Sequence, residues 1–405
     1  MSKRYFLISI ILLLGLAGSV CAQGEYIGRK SWWSDRAAGH DWNEPNNWWT
    51  ADHYVDDVNE VTTYIKVTPN EVPEGNTPAY VGKGDSHLPY PADLNSSSPL
   101  NDPCITSGTF APFELFIGGG YSLDPFVAGS GIDLDDPYWD PDPNHTLYIS
   151  GGTVTVGTPQ TWEGYDNPTW YDGAWWGRWM GAGSNVLIGT VGWRAGSLWE
   201  LPPGEPSGTL VMSGGELNVG GHMEVGAWEE AHGTLDMTGG TLNITQGLYC
   251  PASWWGNYIL HGQVNLHGGT INAKYFTMIS NYNSGNLDVT EGKMVLVRNE
   301  TEKLASYVAG EVEGMSITTY GVDSGETVTD PNYGGAVGKR AALSIDYDVS
   351  GEGKTTVSAA VTEPSQAWAP TPPDGAANVK GPSTSLQRPV LSWSAGDTAD
   401  THQVY

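Results

Sequence analysis

The chain has 405 residues and a formal net charge of −28, from 46 acidic and 18 basic side chains. A surface so acidic repels nucleic acid and anionic lipid, which excludes them as partners. Only 16% of residues are charged, and the 54 glycines exceed the usual ~7%. Glycine is costly inside a helix, so the composition excludes a mainly helical protein and favours turn-rich β structure.

In chain order, residues 1–22 read as an export signal. Lys3 and Arg4 form a basic start, Phe6 to Leu16 is apolar, and Val20-Cys21-Ala22 precedes Gln23 as a small-residue cleavage site. The apolar run is short for a membrane span, and no later segment is a transmembrane candidate. Lipidation at Cys21 is the competing reading, but Val20 is bulkier than that cleavage accepts. Loss of Lys3 and Arg4 with the signal takes the charge from −28 to −30. The expected location is secreted, extracellular or on the cell surface. Cys104 and Cys250 stay in the mature chain, and both a disulfide and two separate buried thiols are open. No Cys or His pair has zinc-ligand spacing.

Residues 23–110 are rich in Trp and Pro. Short strands are expected there, capping the first coil of a repeat array that starts near residue 111. Trp32, Trp33, Trp42, Trp48 and Trp49 supply the hydrophobic mass such a cap needs, so packing rather than recognition is their expected role.

Residues 111–300 carry one phrase five times: TLYISGGTVTV (146–156), TLVMSGGELNV (209–219), TLDMTGGTLNI (234–244), QVNLHGGTINA (263–273) and NLDVTEGKMVL (286–296). In the second and third copies Leu210, Met212, Leu217 and Val219 match Leu235, Met237, Leu242 and Ile244. Apolar residues two apart share one face of a strand, whereas a helix needs them three and four apart. Each Gly-Gly pair permits a sharp turn between two short strands. A meander of hairpins is the rival arrangement. Spacing favours a coil: from the first turn residue the steps 214 to 239, 239 to 268 and 268 to 291 are 25, 29 and 23 residues. The step from 151 to 214 is 63, room for two passes and an insertion. Between the phrases recur LFIGG (115–119), VLIGT (186–190), MEVGA (223–227) and the weaker GLYCP (247–251), a third strand per pass. Parallel stacking at ~4.8 Å puts five or six passes at roughly 25–30 Å. Such units bury their apolar side only against one another. Asn218, Asn243 and Asn272 share one outward place, where an amide ladder competes with plain polar filler.

Two insertions hold the candidate sites. In 159–184, Trp162, Trp170, Tyr171, Trp175, Trp176 and Trp179, with Tyr165, offer flat faces for sugar rings; self-burial of these rings is the competing account. In 131–145, Asp133, Asp135, Asp136, Asp140 and Asp142 are candidate oxygen ligands for Ca²⁺. The order is not that of an EF-hand, and a solvated acidic loop competes. No other cofactor is expected. His222, His232, His261 and His267 lack metal-spaced partners and read as surface or packing residues.

Catalytic signatures are absent: there is no G-x-S-x-G, H-E-x-x-H or phosphate loop. Lys274 and Lys293 are the main cations of the repeat strands. Asp236 and Asp288 share an outward strand position with Asn265 between them, which places them roughly 10 Å apart, near the upper limit for an inverting carboxylate pair. No catalytic residue is assigned.

Residues 301–363 are expected to close the far end of the repeats. Residues 364–375 are a Pro-rich linker. Residues 376–405 hold the start of a β-sandwich, with Val390-Leu391-Ser392-Trp393 as a core strand. A complete sandwich needs ~100 residues, so truncation of that domain is expected.

The pattern T-L-x-[VM]-[ST]-G-G-x-L-N-V with interleaved L-x-[IV]-G resembles the β-solenoid repeats of exported bacterial surface proteins, which are similar to autotransporter-passenger and pectin-lyase-like β-helices. DWNEPNNWW (41–49) resembles an opening seen before such arrays, and KLASYVAGEVEGMSITTYG (303–321) with LSIDYDVSGEGKTTVSA (343–359) resembles their closing module. PPDGAANVKGPSTSLQRPVLSWSAGDTADTHQVY (372–405) resembles the first strands of a fibronectin-III/Ig-like domain. The resemblance implies an all-β right-handed parallel β-helix with an N-terminal cap region and a truncated C-terminal sandwich. It implies a structural or adhesive role outside the cell, with polysaccharide or cell-surface glycan as partner. A polysaccharide-active lyase or glycoside hydrolase on the same scaffold is the alternative, and a carbohydrate-binding module is a third reading.

Overall fold

A computed structural model describes residues 25–34, 37, 39–56, 61–75, 77–81, 102–118, 144–157, 186–188, 207–226, 232–251, 260–279, 283–349, 351–362, 368–371 and 392–394. The described chain is all-β, with 19 strands in one sheet and a separate two-stranded pair.

The first described strands are β1 (Glu25–Trp33), β2 (Trp48–Asp56) and β3 (Val61–Lys66), which pair antiparallel in sequence. Short strands come next: β4 (Ala79–Val81), β5 (Cys104–Ile105), β6 (Thr109–Phe110) and β7 (Leu115–Ile117). The first phrase forms β8 (Asn144–Ile149) and β9 (Thr153–Val156), with β10 (Val186–Ile188) behind it. The next copies lie in β11 (Ser207–Val219), β13 (His232–Tyr249) and β14 (His261–Thr277), with β12 (Met223–Val225) between the first two. The last copy splits into β15 (Ser284–Val289) and β16 (Lys293–Leu296). Helix α1 (Thr301–Val308), β17 (Met315–Thr319), β18 (Arg340–Tyr347) and β19 (Thr355–Thr362) complete the large sheet and its closing end.

Pairing runs in three parallel ladders. The first joins β5, β8, β11, β13, β14, β15 and β17 through the opening half of each phrase. The second joins β6, β9 and the closing halves of β11, β13 and β14 to β16. The third joins β1, β4, β7, β10 and β12 to the C-terminal ends of β13 and β14. Like sits on like: Leu210 pairs with Leu235, Met212 with Met237, Leu217 with Leu242 and Asn218 with Asn243. Hairpins would instead pair the two halves of one phrase with each other, antiparallel. Among the described residues they do not; each half pairs with the same half of its neighbour. One expectation is corrected. The 63-residue step does not hold two passes, because β8 pairs directly with β11 and β10 lies between β7 and β12.

The phrase folds this way for two reasons that meet at its Gly-Gly turn. Gly240 has φ +81°, a left-handed conformation that costs residues with a Cβ. At Gly239 the reason is space, since a Cβ there would lie 2.5 Å from the Ser213 carbonyl of the neighbouring copy. One glycine makes the corner; the other lets adjacent passes approach.

Inward columns bury the apolar residues. Leu210, Leu235, Val264 and Leu287 are fully buried, as are Leu217, Leu242, Ile271 and Met294. All belong to one core cluster that runs from Trp33 to Val357. In the third ladder β4, β7 and β10 are buried on both faces, whereas β12 leaves Glu224 half-exposed. Val81, Ile117 and Ile188 join that core, while Tyr80, Phe116 and Leu187 are equally buried outside it. Tyr80 stacks on Phe116 at 4.7 Å and on Trp32 at 5.5 Å. Burial on both faces is why these strands read as unbroken apolar triplets rather than alternating ones. Trp32, Trp33, Trp42, Trp48 and Trp49 are all buried, with Trp48 packed edge-on against both Trp33 and Trp42.

At the other end β17 extends the first ladder and the antiparallel β18–β19 pair attaches to β16. Leu304 and Tyr307 of α1 face the main core. Among the described residues no helix is long and apolar enough to cross a membrane.

Candidate functional site

The polar outward positions fall into columns as regular as the core. Asn243 Nδ2 donates to Asn218 Oδ1 at 2.8 Å, and Asn272 Nδ2 donates to Asn243 Oδ1 at 2.8 Å. The amide ladder is therefore present. A second column runs along the first ladder: Gln263 Nε2 donates to Asn286 Oδ1 at 2.9 Å, and Asn286 Nδ2 donates to Ser316 Oγ at 2.8 Å. Each side chain satisfies the next, so these rows hold strands together at the cost of few free donors.

A groove of about 310 Å³ lies at the start of the first ladder. Its lining includes two register columns, His232, His261 and Ser284 in one and Thr234, Gln263, Asn286 and Ser316 in the other. The His232 and His261 rings lie 4.2 Å apart, and His261 Nδ1 is hydrogen-bonded to Ser284. Gly233, Gly262 and Gly285 pair in register beneath. That glycine column has a sequence signal which the repeat reading passed over: HG or SG stands just before each of the last four phrases. The groove offers hydroxyl, amide and imidazole groups and no carboxylate, lysine or arginine.

The Asp288 carboxylate has four partners. Oδ1 accepts from Thr318 Oγ1 and the Gly321 amide, both at 2.8 Å; Oδ2 accepts from Tyr333 Oη at 2.8 Å and pairs with His267 Nε2 at 3.1 Å. Burial pushes its carboxyl up, but the donors from His267, Gly321, Tyr333 and Thr318 outweigh that and hold it below the usual range. His267 is raised, chiefly by its bond to Asp288, against burial, with the charges of Asp288 and Asp236 adding to the rise. Asp236, Asn265 and Asp288 do occupy adjacent register positions. As a catalytic pair they fail, because Asp288 is 5% exposed and has both oxygens occupied.

His222 is buried, and burial, with the Lys274 charge, lowers it to about 4. Its Nδ1 accepts from the Gly247 amide at 3.3 Å, so the neutral ring is the one the fold holds. Nearby, the Tyr249 and Tyr275 hydroxyls meet at 2.6 Å, and the Arg298 guanidinium lies 5.0 Å from the Tyr275 ring centre.

Cys104 and Cys250 are free thiols, so no disulfide joins them. Burial raises both. Among the described residues no group of three or more His, Cys, Asp or Glu side chains is placed to hold a metal ion. Trp162, Trp170, Tyr171, Trp175, Trp176 and Trp179 lie outside the described residues, as do Asp133, Asp135, Asp136, Asp140 and Asp142. No family model, curated protein or solved structure matches the chain.

Proposed function

We propose that the chain is a non-catalytic exported module, a right-handed parallel β-helix acting as a structural or adhesive element of a cell surface or secreted matrix. The observation that carries this reading is the like-on-like parallel register of successive copies, in which the Asn218, Asn243 and Asn272 amides satisfy one another along the stack. The export-signal pattern of residues 1–22 and the resemblance to exported bacterial β-solenoids supply the location. Surface glycan or polysaccharide is the partner class, supported by the neutral lining of the groove and the aromatic content of 159–184.

The polysaccharide-active reading has less support. Among the described residues the groove lacks the carboxylate pair a glycosidase needs, and the Asp236/Asp288 column is closed off at Asp288. The purified chain is to be incubated with neutral and acidic polysaccharides while reducing ends and unsaturated products are assayed. Neither should form, and turnover that is lost in Asp288→Asn would overturn the assignment. Glycan-array binding lost in Gln263→Ala places the partner in the groove; loss in Trp175→Ala with Trp176→Ala places it on the insertion. An array without any binding leaves a purely structural module.

A further inference from the structure

Residues 320–336, just before β18, are fastened to the repeats in an unusual way. Val328, Ala336 and Ala341 form a small apolar cluster of their own, with Tyr320, Val322, Tyr333 and Val361 against it, separate from the main core. The segment's apolar contacts are thus with the β18–β19 pair rather than with the repeat strands. Backbone hydrogen bonds tie its middle to β18, from Gly325 N to the Ala341 carbonyl and from Ala341 N to the Glu326 carbonyl, while its side-chain grip on the repeat strands converges on Asp288. That carboxylate, on β15, binds His267 of β14, Thr318 of β17, the amide of Gly321 and the phenol of Tyr333. Two partners fall on each oxygen, so the acceptor capacity of an ionised carboxylate is filled.

The turn it holds is itself strained. Tyr320 has φ +52° and Gly321 φ +73°. Thr319 and Val322 exchange both backbone hydrogen bonds across them, at 2.9 and 3.2 Å. This is the primed hairpin turn, which residues other than glycine, asparagine and aspartate rarely adopt at the first position. Tyr320 and His267 both pack edge-on against Tyr333, at 5.8 and 5.7 Å. The whole assembly is keyed to one charge.

We infer that Asp288 is a proton-operated clasp: its ionised carboxylate holds the Tyr320–Gly321 turn and Tyr333 against the repeat strands, and its protonation releases residues 320–336 while the repeats and the β18–β19 pair stay folded. Protonation adds O–H to one oxygen, which then no longer accepts from two donors, and it removes the charge that binds the His267 ring. The groups facing Asp288 set the direction. His267 and Asn265 come from β14, and Tyr333 and Tyr320 from the segment it holds; around them, Asp236 of β13 acts on His267, Glu291 on Tyr320 and Asp330 on Tyr333. A folded carboxyl held below its ordinary value contributes stability that is present above that value and lost as pH falls through the lower one. Release is therefore an acid event.

Hydrogen exchange of the full chain, tracked by mass spectrometry and corrected for intrinsic rate, tests this. In the parent protein, peptides from 320–336 should lose protection on acidification at a pH where 234–244 is still protected. Asp288→Asn should raise exchange in 320–336 at neutral pH by roughly tenfold or more, leave 234–244 unchanged and abolish the acid step. Should Asp288→Asn fail to fold, Tyr333→Phe carries the test. It removes one donor, so the acid step should move to higher pH. An unmoved step in Tyr333→Phe, parent-like exchange in Asp288→Asn, or simultaneous loss of protection in both regions overturns the inference.

Discussion

Alanine at Gly240 separates the two demands made at the repeat turn. The residue has φ +81°, and a Cβ there would lie 2.6 Å from the Gly214 carbonyl oxygen of the adjoining pass. A left-handed alanine costs about 1–2 kcal/mol. Relieving the clash forces backbone movement in a packed stack, a further cost of about 1–3 kcal/mol. The sum, about 2–5 kcal/mol, is a large share of typical domain stability. Gly310 is the control, since its φ is +66° but nothing lies within 4 Å of its Cβ position, so Gly310→Ala should lose only the dihedral part. Gly239→Ala is the converse, an ordinary dihedral with a Cβ 2.5 Å from the Ser213 carbonyl. Urea unfolding monitored by circular dichroism gives the three midpoints at constant slope. If Gly240→Ala falls within roughly 0.5 kcal/mol of Gly310→Ala, the ordinary surface range, the close approach of neighbouring passes is wrong.

Asn243→Ala removes both amide bonds of its ladder position and should cost about 1–3 kcal/mol by the same assay, whereas an unchanged midpoint makes the ladder polar filler. His222 is held near 4, below the ordinary imidazole value, so its contribution is full above ~6.5 and lost as pH falls toward about 4. His222→Gln should flatten stability across that window, and a parent-like slope there counts against a neutral buried ring. His267 has the opposite sign: raised by Asp288, it stabilises most below ~6.5 and less as pH climbs through its folded value. His267→Gln should remove that alkaline decline, which a pH series of thermal midpoints reads directly.

Much of this architecture is legible in the chain because identical chemistry repeats. TLVMSGG and TLDMTGG announce alternating strands, the glycine corner and the inward Leu and Met columns together, and Asn218 and Asn243 fall in register as a consequence. What was not legible comes from segments that do not repeat. Tyr80 and Phe116 stack on the outer face of the third ladder, yet each sits in an isolated apolar triplet that gives no hint of its neighbour. The 63-residue step looked like two passes because spacing counts inserted chain as if it were paired chain. Asp288 read as an outward strand residue. Its partner Tyr333 lies 45 residues on, in a segment without the phrase, so only the folded chain brings them together.

The central claim is the parallel stacking of copies, and paired cysteines distinguish it from hairpins in one experiment. In a Cys104→Ala, Cys250→Ala background, Asp236→Cys with Asn265→Cys joins register partners on adjacent parallel strands, β13 and β14. Their Cα separation of about 4.8 Å is within disulfide reach. Asp236→Cys with Asn243→Cys joins positions that would face each other only across a hairpin at Gly239-Gly240. Under mild oxidation, peptide mapping should find the 236–265 bridge and little of 236–243; a dominant 236–243 bridge contradicts the stacked account.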